Sequence, residues 1–204
     1  MSKRNFYILV SGLLFLAGAA WWKHTHYPIR NAKPAGTNII AFGDSLTEGF
    51  GAGQGEDYPS RLSEMTGVPI LNKGRSSETS AQALQRLDSD VLKNAPKIVI
   101  VFLGGNDLLQ KVPLDTTFAN LDQIVERIQD QGALVLLVGL RNVFGDKYGP
   151  RFKELARRRG TILVPDVLRD IISSPKLKSD QVHPNGAGYK IVAERIFAVL
   201  KPYL

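Results

Sequence analysis

The chain has 204 residues, 44% hydrophobic and 22% charged, with no cysteine and a formal net charge of +7. That length suits one domain with a sizeable core plus a short extension, and the lack of cysteine excludes a disulfide framework, a thiol nucleophile and a cysteine metal site. The charge does not mark a nucleic-acid binder: five basic residues and no acid fall within residues 1–36, so residues 37–204 hold 21 basic against 19 acidic side chains, or +2. Such proteins need a spread-out basic groove. The one dense basic run, Arg157-Arg158-Arg159, instead ends a predicted helix, where cations complement the helix dipole.

Lys3 and Arg4 precede an uncharged, mostly apolar stretch over residues 6–22. As a helix it would run about 25 Å at 1.5 Å per residue, slightly short of the roughly 30 Å hydrocarbon core of a bilayer. Two readings of residues 1–22 compete. A cleaved signal peptide accounts for the basic start, the apolar centre and the small residues Ala17-Gly18-Ala19. An uncleaved anchor accounts for Trp21-Trp22 and Lys23, which suit an aromatic belt and an interfacial charge. In both cases the expectation is export of the domain to the periplasm or exterior, with attachment to the membrane through residues 6–22 in the second. Residues 23–36, polar and bearing Pro and Gly, read as a linker to a domain spanning 37–204.

From residue 37 short apolar runs alternate with segments of helical period. Strands are expected at 37–42, 68–71, 97–103, 134–139 and 161–164. Helices are expected at 58–66, 80–93, 115–131, 150–159 and 186–200. In the third helix Phe118, Leu121, Ile124, Val125 and Ile128 share one face, and Gly132 ends it. Short strands alternating with longer helices predict one α/β domain, a five-stranded parallel sheet covered on both faces.

In open parallel sheets, ligands bind beyond the carboxyl ends of the strands. Ser45 follows the first strand, Gly74 the second and Asn106 the third, while Asp180 and His183 precede the last helix. Residues 37–204 contain no other histidine. Serine attacks a carbonyl only when a base takes its proton, and that base needs an acid to hold its tautomer. His183 and Asp180 suit those roles. The backbone N–H groups of Ser45 and Gly74 and the Asn106 amide suit an oxyanion hole; Gly74 lacks the Cβ that would hinder close approach. Each block alone has a plainer reading: Gly-Asp-Ser is common in turns, and Asn106-Asp107 and Asn185 are good helix caps. Asp180 and His183 also suit two metal ligands, though no further His or Cys completes a site. Leu108-Leu109 and Val143-Phe144, beyond the third and fourth strands, suit either an acyl pocket or the core.

Taken together, Ala41-Phe42-Gly43-Asp44-Ser45-Leu46-Thr47-Glu48-Gly49, residues 72–79, residues 103–107 and residues 180–185 resemble the blocks of the GDSL, or SGNH, serine esterases and lipases. The bacterial thioesterase I, lysophospholipase and arylesterase-like branch is the nearest match. The resemblance covers nearly all of residues 37–204. It implies a flavodoxin-like α/β/α fold, catalytic Ser45, His183 and Asp180, an oxyanion hole including Gly74 and Asn106, and no metal or organic cofactor. Two positions depart from the pattern. Ser76-Ser77-Glu78-Thr79 stands where the family often has Ser-Gly-x-Thr, and Gln181 stands where it often has Gly. The expected activity is hydrolysis of small-molecule or lipid acyl esters or thioesters, lysophospholipids included, through an acyl-enzyme. Deacetylation of a carbohydrate or envelope glycan is the alternative, and a non-catalytic binding module is the reading from another class.

Overall fold

Strand β3 (Pro96–Phe102) shows why the sheet is central: every residue but Lys97 is buried. β4 (Leu134–Val138) is buried throughout and β1 (Asn38–Gly43) throughout but for Asn38. Strands buried on both faces need helices above and below, as parallel sheets provide. The computed structural model of the protein describes residues 27–141 and 146–204. The expected leader or anchor over residues 6–22 and Val143-Phe144 therefore lie outside the described residues.

The remaining strands are β2 (Ile70–Gly74) and β5 (Ile162–Val164), and the order is β2-β1-β3-β4-β5 with every pairing parallel. The helices are α1 (Ser45–Glu48), α2 (Tyr58–Thr66), α3 (Ser80–Asp90), α4 (Gly105–Leu109), α5 (Leu114–Asp130), α6 (Tyr148–Arg159) and α7 (Gly186–Leu200). α2 packs against α7, α3 against α5, and α5 against α6. Right-handed crossovers put the first pair on one face and the other three on the opposite face. This is the expected three-layer α/β/α fold with a five-stranded, flavodoxin-like parallel sheet.

Helix α3 ends at Asp90 rather than at residue 93, and two other features differ from the sequence expectation. β2 begins at Ile70, because Gly67 closes α2 with a φ of +69 and pairing with β1 starts at Ile39 opposite Ile70. α1 and α4 span too few residues to display a helical period, which the pattern reading requires.

The segment expected to be a linker is fastened to the domain from Tyr27 onward. The Tyr27 hydroxyl donates to the Thr161 carbonyl at 2.9 Å, and Arg30 N–H to that of Gly160 at 2.8 Å. Asn31 Nδ2 donates to the carbonyls of Gln129 and Ala133 at 2.8 and 2.9 Å. These acceptors lie where the chain enters β4 and β5. The segment thus covers the amino edge of the sheet, opposite the edge that carries Ser45.

Candidate active site

β1 ends at Gly43 and the chain turns at once into α1. Asp44 makes the turn: its Oδ1 accepts the Leu46 N–H at 3.0 Å, capping a helix donor that would otherwise lack a partner. Ser45 is the first helical residue and is half-buried. Its own N–H has no acceptor among the described residues. Gly43 is sterically required, since a Cβ there would stand 2.1 Å from Thr47 Oγ1 and 2.4 Å from the Phe102 carbonyl oxygen. Beneath the turn, Thr47 Oγ1 and the Tyr58 hydroxyl share a buried hydrogen bond of 3.0 Å. Burial pushes the Asp44 carboxyl up to about 7; the Leu46 N–H offsets part of this, and nearby Asp107 adds to it.

The end of β2 corrects one assignment. Gly74 N–H donates to Asn72 Oδ1 at 2.9 Å, so this donor is already committed. The need for glycine is steric: a Cβ on Gly74 would lie 2.0 Å from the Glu48 backbone nitrogen. Gly74 therefore lets α1 pack on β2. Ser77, three residues on, holds a φ of +66, a conformation usually left to glycine. Its N–H has no acceptor among the described residues. Its neighbours reach both sides of the site: Ser76 Oγ donates to the Glu48 carboxylate of α1, and the Glu78 carbonyl accepts Asn106 Nδ2 at 3.0 Å.

Asn106 rides on α4. Asp107 is fully buried and accepts both the backbone N–H and the hydroxyl of Ser80, at 2.8 and 2.5 Å. One carboxylate thus caps α3 and ties α4 to it. A Cβ on Gly105 would lie 3.4 Å from Asp44 Oδ2, so the start of α4 also stands against the Ser45 turn.

The third part of the site is the loop before α7. Asp180 Oδ1 accepts the N–H groups of Val182 and His183, both at 2.8 Å, and Oδ2 lies 2.7 Å from His183 Nδ1. Ser45 Oγ lies 2.9 Å from His183 Nε2. With Nδ1–H donated to the carboxylate, Nε2 presents its lone pair and the serine hydroxyl donates to it. Burial acts to raise the Asp180 carboxyl, but the Val182 N–H, the His183 ring and the His183 N–H outweigh it and hold it at about 2. Asn185 then starts α7, its Oδ1 accepting the Gly188 N–H at 3.1 Å. The Phe50 ring packs against His183 at a tilt of 48° with centroids 4.6 Å apart, and the Phe50 carbonyl accepts the Tyr189 hydroxyl at 2.9 Å.

An aligned Ser-His-Asp set beside free N–H groups and a side-chain amide is equipped for acyl transfer. Residues 41–191 match the GDSL-like Lipase/Acylhydrolase family. The chain belongs to that family. It is a carboxylic ester hydrolase, similar to an arylesterase of Vibrio mimicus at 27% identity, over 85% of this chain and 92% of that one. It is likewise 27% identical to "Thioesterase 1/protease 1/lysophospholipase L1" of Escherichia coli (strain K12), over 82% of this chain and 85% of that one. Among solved structures, the SGNH-hydrolase family esterase AlinE4 superposes with a TM-score of 0.64 at 34% identity, covering 82% of this chain and 94% of the other.

The structure of this GDSL-like esterase brings Ser45, His183 and Asp180 into direct contact, and anchors Asn106 next to the loop after β2. It turns the Gly74 N–H to another acceptor. The sequence offers Asp107 only as a helix cap and does not single out Phe50 or Arg86. Ser77 is marked in the sequence by its place opposite the glycine of the family pattern.

Proposed function

We propose that this esterase hydrolyses acyl esters or thioesters through an acyl-enzyme, with Ser45 as nucleophile, His183 as base and Asp180 as the group that orients the base. The observation that carries this reading is the unbroken contact from Ser45 Oγ to His183 at 2.9 Å and from His183 to Asp180 at 2.7 Å. Ser45 Oγ attacks the carbonyl carbon as its proton passes to Nε2, and Asp180 stabilises the imidazolium across the ring. The oxyanion collects hydrogen bonds from the N–H of Ser45, the Asn106 amide and, in place of Gly74, the N–H of Ser77. Collapse expels the alcohol or thiol, which takes the proton from His183. Water, giving its proton to His183, then attacks the acyl-serine, and His183 returns that proton to Ser45 Oγ as the acid is released.

Apolar surface at the mouth supports an acyl chain as the recognised group. Phe50 is 53% exposed, Leu109 61% and Val182 39%, and each belongs to a segment that carries a site residue. The aliphatic part of this surface, Leu109 and Val182, favours an alkyl tail over a sugar. A series of p-nitrophenyl esters, run on the full chain beside Ser45→Ala, tests this. Turnover should rise from acetyl toward medium chains and vanish in the variant. A maximum at acetyl, with matching activity on acetylated sugars, would transfer the assignment to a glycan deacetylase.

We also propose that the domain works outside the cytoplasm, held or delivered by residues 6–22. The docking of residues 27–31 on the amino edge supports a site that opens away from the tether. Full chain in vesicles and soluble domain should then hydrolyse a water-soluble ester with equal kcat/KM. A marked loss in vesicles would refute that orientation.

A further inference from the structure

Arg86, on α3, is a cation withdrawn from water, its side chain only 7% exposed. A guanidinium in such a place is tolerated only when its donors are used. Nε donates to Glu78 Oε2 at 2.5 Å, Nη1 to Asp90 Oδ2 at 2.8 Å and to the Lys73 carbonyl at 3.0 Å, and Nη2 to the Gly43 carbonyl at 2.9 Å. The guanidinium carbon stands 4.5 Å from the centre of the Phe42 ring.

These acceptors are not scattered. Gly43 is the last residue of β1, one step before Asp44 and Ser45. Lys73 lies at the end of β2, at the root of the loop that carries Ser77. The Glu78 side chain bonds Arg86, while its carbonyl accepts Asn106 Nδ2 at 3.0 Å. A primary amide has two N–H bonds in one plane. Tying one of them to the Glu78 carbonyl fixes the plane and therefore the direction of the other. One buried guanidinium thus spans the strand end behind the nucleophile and the segment that aims the oxyanion amide.

We propose that Arg86 is a positioning residue for ester hydrolysis, acting through Glu78 to orient the Asn106 amide and through the Gly43 carbonyl to hold the Ser45 turn. The inference rests on the reading of Asn106 as an oxyanion donor. Arg86 touches no reacting atom, and its effect belongs in the transition state, where the amide contact is strongest. A donor misplaced by about 1 Å costs up to about 10²-fold in rate.

The direct variant is Arg86→Lys, which keeps the charge but lacks the fork that spans four acceptor groups. Glu78→Ala cuts the same arm at a half-buried loop position and serves if Arg86→Lys does not fold. Both are to be compared with Asn106→Ala and with the double variant Glu78→Ala/Asn106→Ala, using the full chain and one p-nitrophenyl ester. Glu78→Ala should lower kcat about 10- to 10²-fold, with KM within about twofold and an unchanged far-ultraviolet dichroism spectrum. Glu78→Gln, which keeps an acceptor for Arg86, should recover most of that loss. In the Asn106→Ala background, Glu78→Ala should have no further effect on kcat beyond about twofold. An equal loss in both backgrounds, or full kcat in a folded Glu78→Ala or Arg86→Lys, would overturn the proposal. Full kcat in Asn106→Ala alone would instead remove the oxyanion reading on which it rests, so the two failures are told apart.

Discussion

The two halves of the site meet across 2.9 Å between Ser45 and His183, yet they are held in opposite ways. The Ser45 turn is determined by exclusion. Gly43 and Gly74 leave no room for a side chain, Thr47 and Tyr58 bond beneath it, and Asp44 is 1% exposed. The Asp180–His183 loop is determined by its own hydrogen bonds. Asp180, its side chain 43% exposed, accepts two backbone N–H groups and the imidazole N–H, and the Phe50 ring packs at a tilt against His183. A nucleophile needs a fixed position at the strand end, which packing supplies. A base that collects and returns protons needs access to substrate and water, so its support comes from a local carboxylate. The contrast predicts that damage to the packing beneath the Ser45 turn registers in stability as well as rate, and damage to the Asp180–His183 contact chiefly in rate.

The largest effect should come from the shared contact itself. Ser45→Ala is expected to remove essentially all turnover, a drop of about 10⁴-fold or more, with the melting temperature unchanged; burst kinetics and thermal melts on one preparation check both parts. On the exposed half, Asp180→Asn should lower kcat by about 10²- to 10⁴-fold through loss of the correct imidazole tautomer, again with little change in melting. A variant that keeps wild-type kcat would remove Asp180 from the orienting role. Because the Asp180 carboxyl is held at about 2, its contribution to stability is in place above the ordinary carboxylate range. It is lost only as pH falls through that value.

The buried half should answer to pH differently. Asp44 is pushed up to about 7, so the folded state keeps a proton that the unfolded chain has already released. Stability should therefore fall as pH rises from about 4 to 7 and stay lower above it. Asp44→Asn keeps the oxygen that caps Leu46 and cannot ionise, so its melting temperature should lack this decline, by several degrees at pH 8. Parallel melting curves for the two proteins would refute the raised carboxyl. The smallest effect on rate is expected just beyond the exposed half, at the cap of α7. Asn185→Ala removes the cap of α7, costs about 1 kcal/mol, and should leave kcat within about twofold, as judged by urea melts beside steady-state assays.

Much of this was legible without coordinates. β3 and β4 announce themselves as uninterrupted apolar runs, and the bounds of α2 and α7 coincide with the pattern reading because each begins at a capping residue, Asp57 or Asn185, and shows a clear periodic face. Ser45, Asp180 and His183 were legible as residue types that have one chemistry in common, and Asn106 as an amide beyond a buried strand. Gly74 misled for an instructive reason. A glycine after a strand signals close approach, but sequence does not say to what, and here the close neighbour is the backbone of α1 rather than a substrate. Ser77 was marked only by standing opposite the glycine of the family pattern, and Arg86 carried no local signal. A serine with positive φ looks like any other serine, and an arginine at the i and i+4 spacing from Asp90 looks like an ordinary surface pair.

The sequence by itself therefore determined the layer architecture, the edge of the sheet to which the candidate groups project and the three side chains that meet there, because these follow from periodicity and from the narrow choice of groups able to activate a serine. Only the tertiary structure decided which N–H groups remain free, that residues 27–31 close the opposite edge, and that Arg86 joins the ends of β1 and β2. Those outcomes depend on contacts between residues distant in the chain, such as Arg86 with Gly43 or Asn31 with Ala133, and such contacts exist only once the sheet has fixed its strand order.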